Sequence, residues 1–123
     1  AIGYTRHGGA LHPNRDSHPA RGSSAGGGYS TAGDLLKFDV ALRSGRLLPP
    51  AWTAWVFFRS DAPTPGAGLP TRGGLGIAGG SPGVNAALDM ELESGTTVVV
   101  LSNLDPPAAE RAAKRIRALL PRR

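Results

Sequence analysis

The clearest periodic pattern in this chain lies near its end, after Asp105 and Pro106. Apolar residues recur there at helical spacing, and charged residues occupy the opposite face. An aspartate followed by a proline is also a typical start of a helix. The pattern therefore predicts a closing amphipathic helix. Its apolar positions are Ala109, Ala112, Ala113, Ile116, Leu119 and Leu120.

Two more helices are predicted in the first half of the chain. Leu35, Phe38 and Leu42 lie at i, i+3 and i+7, which places them in one apolar stripe. Thr31 precedes this stripe and is a suitable N-cap residue. The stretch LLPPAWTAWVFF predicts a second, shorter helix, since a proline in the first turn gives up no hydrogen bond.

From residue 75 onward the pattern changes to that of strands. Residues 96–104, TTVVVLSNL, are rich in β-branched side chains, and residues 84–92 alternate loosely between apolar and polar positions. The short ESG segment between them predicts a hairpin, and GGLGIAGG before them predicts a preceding strand. The order of elements predicts an α/β fold of the α+β type, an antiparallel sheet of about three strands packed against helices.

Residues 1–29 carry neither a helical nor a strand periodicity after a short extended start. Glycine, proline, serine and asparagine dominate them, so we expect a largely irregular loop. A chain of 123 residues suffices for one modest core. We therefore expect residues 1–123 to form a single domain.

Composition narrows the functional classes. The absence of cysteine excludes disulfides and thiol chemistry within these residues. The net charge of +5 favours acidic partners in general, but no nucleic-acid motif accompanies it, so nucleic-acid binding is not expected. No apolar run approaches the ~18 residues that span a bilayer, and no membrane partner is expected. The absence of cysteine fits either a reducing or an oxidising cellular compartment. Basic residues cluster at the end: Arg111, Lys114, Arg115, Arg117, Arg122 and Arg123.

Candidate chemistry in the glycine-rich stretches is sparse. His7, His12 and His18 lack the spacing of metal ligands, so no metal site is expected. Ser24 and Ser81 each stand in the letters Gly-x-Ser-x-Gly, but a nucleophile elbow also needs a strand directly before the serine and a helix directly after it, and neither serine has this setting among the predicted elements. The stretch GIAGGSPG lacks the Gly-x-Gly-x-x-Gly spacing and the following helix of a dinucleotide site, so no cofactor is expected.

Two long segments, in the right order, resemble a known family. Residues 22–48, GSSAGGGYSTAGDLLKFDVALRSGRLL, are similar to a helical region of the serine β-lactamase and penicillin-binding protein superfamily, in its class C and esterase-like branch. Residues 79–116, GGSPGVNAALDMELESGTTVVVLSNLDPPAAERAAKRI, resemble the closing hairpin and final helix of that branch. The resemblance covers roughly residues 20–120 and implies the C-terminal part, or a fragment, of a β-lactamase-like fold.

The resemblance also implies three catalytic motifs, and the first two have no counterpart in these residues. A Ser-x-x-Lys motif supplies the nucleophile and its activating lysine, but no serine here has a lysine three positions later. A Tyr-x-Asn or Ser-x-Asn motif supplies a second proton relay. Neither Tyr4 nor Tyr29 has an asparagine two positions later.

The third motif, Lys-Thr-Gly or His-x-Gly, lies on the strand that lines the site in the family. The resemblance aligns it with Ile77, Ala78 and Gly79, where only the glycine matches. Gly80 follows, at the position whose N–H helps to form the oxyanion hole in relatives. Residues 77–80 are therefore identified as a remnant active-site strand, with no catalytic residue.

Three hypotheses follow. The first is a β-lactamase-related serine hydrolase fragment that is not catalytic alone. The second is the C-terminal half of a split serine hydrolase, of β-lactamase, esterase or D-Ala-D-Ala peptidase type, that needs a partner. The third is a basic binding module. Because the resemblance implies missing N-terminal strands, we also expect residues 96–104 to form an open edge that joins a missing half or a second copy in a homo-oligomer.

Overall fold

The computed structural model describes residues 1–17, 22–58, 69–71 and 74–121. The strands and α-helices in chain order are β1 (Tyr4–His7), β2 (Ala10–Pro13), α1 (Ala32–Arg43), α2 (Pro50–Phe58), β3 (Leu69–Thr71), β4 (Gly74–Ser81), β5 (Val84–Glu91), β6 (Thr97–Ser102) and α3 (Ala108–Leu119). Within the described residues, β3, β4, β5 and β6 form an antiparallel sheet in that order, and β1 pairs with β2. The predicted α+β fold with its antiparallel sheet is confirmed.

The pairing register of the sheet decides which side chains share a face. Leu75 lies opposite Met90, and Leu88 lies opposite Val99. Successive side chains of a strand point to opposite faces, so these four residues share one face and Ala87 lies on the other. The loose alternation of residues 84–92 reflects apolar contacts on both faces of β5.

A hydrophobic core lies on each face of the sheet. The first core joins the sheet to α1 and α2 and consists of Leu42, Phe57, Leu75, Leu88 and Met90. The second core joins the sheet to α3 and consists of Ala87, Val98, Ala109 and Ala113. The short alanine side chains let α3 lie close against the strands. The sheet is thus enclosed between two helical layers.

Helix α1 begins where the sequence predicts. The side-chain oxygen of Thr31 accepts a hydrogen bond from the Asp34 N–H at 3.1 Å, so Thr31 is the N-cap. The predicted apolar stripe is only partly buried, however. Leu42 is in the core, but Phe38 is 40% exposed and Asp39 is buried instead. The helix is rotated so that a polar contact, described below, faces the sheet.

The N-terminal segment contains more regular structure than the sequence analysis predicts. Residues 1–29 were expected to be largely irregular, but β1 and β2 form a hairpin. Gly8 and Gly9 connect them with φ values of 54° and 85°. A two-residue hairpin turn of this kind needs positive φ at both positions, which glycine adopts without strain. Residues 22–31 carry neither a helix nor a named strand, as expected.

Strand β3 is a second element that the sequence analysis does not predict. It pairs with β4 over residues 74–76, on the side of β4 away from β5. Its register places Leu69 opposite Gly76 and Thr71 opposite Gly74. The strand is three residues long and contains a proline, so its pattern falls below what sequence periodicity detects.

A buried ion pair fixes α1 to the sheet. Asp39 is 1% exposed, and its Oδ1 accepts a hydrogen bond from Arg43 Nε at 2.6 Å. The Thr97 hydroxyl donates to the other carboxylate oxygen. Arg43 also donates to the Glu91 carbonyl at 2.8 Å. The pair thereby links one helix to both ends of the turn between β5 and β6.

Replacing Asp39 by alanine should lower the free energy of unfolding by about 3 kcal/mol or more, because it leaves the largely buried Arg43 without its carboxylate. Urea denaturation followed by circular dichroism measures this loss. The matched control is Lys37→Ala, which removes an ion pair of the same helix whose side chains are 81% and 56% exposed. Exposed pairs contribute little, so the control should change much less. Equal losses in both variants would contradict the role of the buried pair.

Candidate functional site

The second half of β4 carries the predicted site residues. Ile77, Ala78, Gly79 and Gly80 lie opposite residues 88, 87, 86 and 85 of β5, in that order. All four are exposed, although the strand begins in the core at Leu75. Strand β3 pairs only with residues 74–76, so within the described part of the chain the outer edge of β4 is unpaired from residue 77 onward. The predicted stretch is a strand with one free edge.

The two glycines of this stretch have different surroundings. A Cβ atom on Gly80 would lie 2.6 Å from Pro106 Cγ and 2.8 Å from the Val84 carbonyl oxygen. A Cβ atom on Gly79 would have no atom within 4 Å. Gly80 is therefore required by the close packing of the segment before α3, whereas Gly79 faces open space.

A buried asparagine, which the sequence analysis did not single out, contacts this stretch. Asn85 is 1% exposed, and its Nδ2 donates to the Gly79 carbonyl at 2.9 Å. Its Oδ1 accepts from the Ala109 N–H at 2.6 Å. The available sequence signal was a polar side chain directly before the apolar run Ala86–Leu88.

An aspartate before α3 holds the turn that follows β4. One oxygen of Asp105 accepts from the Gly83 N–H, and the other accepts from the Arg6 N–H, each at 2.8 Å. These bonds lower the pKa of Asp105, chiefly through the Gly83 N–H, then the Arg6 N–H and the Thr5 hydroxyl, with a smaller contribution from the charge of His7. The aspartate ties the N-terminal hairpin to the β4–β5 turn.

A second buried amide supports the same turn from the N-terminal side. Asn14 is 6% exposed, and its Nδ2 donates to the Pro82 carbonyl at 2.7 Å. Its backbone N–H donates to the Gly3 carbonyl at 2.9 Å. The turn at residues 82 and 83 is thus held by side chains from both ends of the chain.

The histidines do not join this stretch. His7 and His12 lie on β1 and β2, are exposed, and have ring centroids 6.1 Å apart. His18 lies outside the described residues. Among the described residues, no group of three or more histidine, cysteine or acidic side chains is placed to hold a metal ion. None of the described helices has the length and hydropathy needed to cross a membrane.

Comparisons with known proteins agree with this architecture. The family model described as Beta-lactamase matches residues 1–122. The chain belongs to the Beta-lactamase family. It is similar to a solved structure titled "The crystal structure of penicillin binding protein from Bacillus halodurans", with 26% sequence identity and a TM-score of 0.80. Among curated proteins, none matches this sequence.

The solved relative is much longer than this Beta-lactamase-family chain. The similarity covers 98% of this chain but only 40% of the Bacillus halodurans protein. The family resemblance identified in the sequence, and the expectation that the chain corresponds to part of the fold, are confirmed. The identification of residues 77–80 as a remnant active-site strand stays a prediction.

The low pKa of Asp105 predicts a pH-dependent stability. A carboxylate whose pKa is lower in the folded state stabilises the fold above its unfolded-state pKa, and this stabilisation is lost as the pH falls through the folded-state pKa. Asp105→Asn should therefore be less stable than the wild type at pH 7, and the difference should shrink as the pH falls below about 4. Urea denaturation across this range measures it.

Asp16→Asn is the matched control for the loss of one negative charge, since Asp16 is exposed in the short 3-10 turn Arg15–Ser17. A gap between the wild type and Asp105→Asn that stays constant from neutral to acid pH would contradict the role of Asp105.

Proposed function

We propose that this chain is the site-lining C-terminal portion of a serine hydrolase of the Beta-lactamase family, and that it performs no acyl-serine chemistry by itself. The nucleophile and its base would come from a region outside these 123 residues. Acyl transfer needs an attacking group and a base that activates it. The chain carries neither Ser-x-x-Lys nor Tyr-x-Asn, which supports the dependence on another region.

A partly exposed apolar sheet face is the observation that carries this proposal. Ile77 lies opposite the core residue Leu88, and Leu101 lies opposite Ala86, so both point to the face that α1 and α2 cover elsewhere. Ile77 is nevertheless 41% exposed and Leu101 44% exposed. The apolar face thus continues beyond the two helices that cover its other half.

The occupant that we assign to this face is the remaining region of the same fold. The Bacillus halodurans relative has a large part of its length without a counterpart here, since only 40% of it is covered. Covering roughly 200 Å² of apolar surface at about 25 cal/mol per Å² stabilises an assembly by about 5 kcal/mol. A nucleophile-bearing region that packs on this face would lie beside residues 77–80.

In this arrangement, the exposed end of β4 lines the acyl site. The Gly80 N–H supplies one donor to the oxyanion, an interaction that stabilises charge developing in the transition state. Ile77 stands where the family motif has a lysine or histidine, so the cation that the motif supplies is lacking at this position. The assembled site is therefore expected to be acylated more slowly than the site of a relative with the complete motif.

The test is reconstitution with the protein segment encoded by the reading frame immediately upstream. The 123-residue chain alone should give neither turnover of a chromogenic cephalosporin nor a covalent adduct with a fluorescent penicillin. The reconstituted pair should form the adduct. Ile77→Lys should raise the acylation rate of the pair, because it restores a cation at the site.

Leu119→Lys is the matched control, since Leu119 is 86% exposed and lies on α3, which packs on the other face of the sheet. It should leave the acylation rate unchanged. An adduct with the chain alone, an upstream frame without either missing motif, or equal effects of the two lysine variants would contradict the proposal.

The basic binding module is less well supported. Arg117 pairs with Asp89 of β5 at 3.3 Å, and the alanine face of α3 is in the second core. Arg111, Lys114 and Arg115 remain on the exposed side of the helix. This is the ordinary distribution of an amphipathic helix that packs on a sheet. Among the described residues of α3, no specific contact favours an acidic partner over solvent.

Without the remaining region, we expect the isolated chain to self-associate through β6. Within the described residues, no strand of the sheet pairs with the outer edge of β6. The contacts with the N-terminal segment lie just beyond the strand, where the Tyr4 N–H donates to the Asn103 carbonyl and the Asn103 side chain donates to the Ile2 carbonyl. An unpaired edge readily accepts another strand. Sedimentation velocity at several concentrations should detect a dimer or a larger assembly.

Leu101→Lys should shift the isolated chain to a monomer, because a charge on an edge strand opposes pairing. Val84→Lys, on the inner strand β5, is the control and should still associate. A wild-type chain that remains monomeric at all concentrations would show that this expectation is wrong.

A further inference from the structure

The side chain of Asn85 joins β4 to the start of α3. It is 1% exposed, and it uses its amide donor and its amide acceptor on two different elements. Nδ2 donates to the Gly79 carbonyl at 2.9 Å, and Oδ1 accepts from the Ala109 N–H at 2.6 Å. A buried amide with both ends bonded holds its two partners in a fixed relation.

The Asn85 acceptor pairs with an N–H group at the start of α3 that has no partner within the helix. The first N–H groups of a helix have no partner within the helix and are usually bonded by the N-cap side chain. The N-cap here is Pro107, which makes no side-chain hydrogen bond. Asn85 therefore supplies from the sheet the acceptor that the N-cap residue lacks.

The contact at Gly79 fixes the direction of the next N–H group. The Gly79 carbonyl and the Gly80 N–H belong to one planar peptide unit, in which a trans arrangement points them in opposite directions. Since the carbonyl is directed to Asn85, the Gly80 N–H is directed away from β5. That direction leads to the outer edge of β4, which no described strand covers beyond residue 76.

The segment before α3 packs closely against the same peptide unit. A Cβ atom on Gly80 would lie 2.6 Å from Pro106 Cγ and 3.0 Å from Asn85 Nδ2. Asp105 holds the following turn through the Gly83 N–H. The peptide unit is thus confined by a hydrogen bond on one side and by close packing next to it.

We propose that Asn85 is a positioning residue that orients the Gly80 N–H toward the acyl site by holding the Gly79 carbonyl. This inference rests on the proposed function for the role of that N–H, but the contact itself does not. Asn85 touches no reacting atom in this arrangement. It acts through the peptide unit of Gly79 and Gly80. Because Asn85 is also bonded to the Ala109 N–H, the orientation of this unit depends on the position of the start of α3.

Asn85→Asp separates the two contacts. An ionised aspartate keeps an acceptor for the Ala109 N–H but has no donor for the Gly79 carbonyl. In NMR spectra of the 123-residue chain, the Gly79 carbonyl carbon and the Gly80 amide nitrogen should shift, while the Ala109 amide should keep its slow hydrogen exchange. Asn85→Ala should alter all three. Asn103→Asp is the matched control at an exposed asparagine and should alter none.

If a variant does not fold, the contact can still be tested by a measurement on the wild-type chain. The side-chain amide protons of Asn85 should exchange with solvent at least tenfold more slowly than those of Asn103, because the Asn85 amide is buried, whereas the Asn103 amide donates to the Ile2 carbonyl at 3.0 Å in an exposed position. Exchange as fast as that of Asn103 would overturn the inference. Unchanged Gly79 and Gly80 resonances in a folded Asn85→Asp chain would overturn it as well.

The functional consequence is tested in the reconstituted pair. Asn85→Asp should lower kcat for acylation by about tenfold or more with a smaller effect on KM, since a misdirected donor weakens mainly the transition state. Altered Gly79 and Gly80 resonances with no acylation by the wild-type pair would contradict the proposed function and leave the contact established. Altered resonances with unchanged kcat would overturn the positioning role.

Discussion

The alternation of side chains along β5 is the constraint on which the rest of the structure depends. Leu88 and Met90 point into the core with α1 and α2, while Ala87 and Asn85 point toward α3. A slip of one residue in the pairing would exchange the two faces and remove Leu88 and Met90 from the core with α1 and α2. It would also take the Asn85 side chain away from the buried Ala109 N–H, and a buried donor without a partner costs free energy. The apolar and the polar contacts therefore favour the same register.

The elements that could be predicted are those whose signal is local. The β-branched run of β6, the N-cap Thr31 and the alanine periodicity of α3 each show within a short window of sequence. The partners of Asp39 and Asn85 could not be predicted in this way. Asp39 is bonded to Thr97, and Asn85 is bonded to Ala109, across loops and whole elements. Contacts of this kind follow from the packing of the sheet and have no spacing rule.

The same distinction applies to two of the three departures from the predicted local structure, the β1–β2 hairpin and the rotation of α1. The hairpin of β1 and β2 has a turn signal in Gly8 and Gly9, but its strands carry exposed polar residues and show no apolar alternation. The predicted apolar stripe through Phe38 has the correct helical period, but the helix is rotated about its axis so that Asp39 is buried and Phe38 is exposed. Helix propensity and periodicity are unchanged by a small rotation of the axis, so only the partner side chains on the sheet determine which residues are buried. At the site, the strand could be predicted, whereas its support by Asn85 could not.

The helices on each face cover only part of the sheet, and apolar residues remain exposed on both sides of the molecule. Leu119 on α3 is 86% exposed and Ile116 is 40% exposed, in addition to Ile77 and Leu101 on the opposite face. Small cores bury a limited fraction of the apolar surface, and a contiguous apolar surface commonly marks an interaction site. Both uncovered regions lie outside the contacts that hold α1, α3 and the sheet together. An assembly can therefore cover them without rearranging the described core.

In the proposed site, the main-chain donor and the side-chain cation depend on different parts of the structure. The Gly80 N–H is a main-chain group whose direction depends on the ladder with β5, on Asn85 and on the packing of Pro106. The cation of the family motif depends on one side chain alone, at a position where Ile77 is 41% exposed. In the proposed site, an isoleucine at position 77 would therefore leave the oxyanion donor in place. The backbone framework of residues 77–80 does not depend on a cation there, because the contacts that maintain this framework are the ones that maintain the fold.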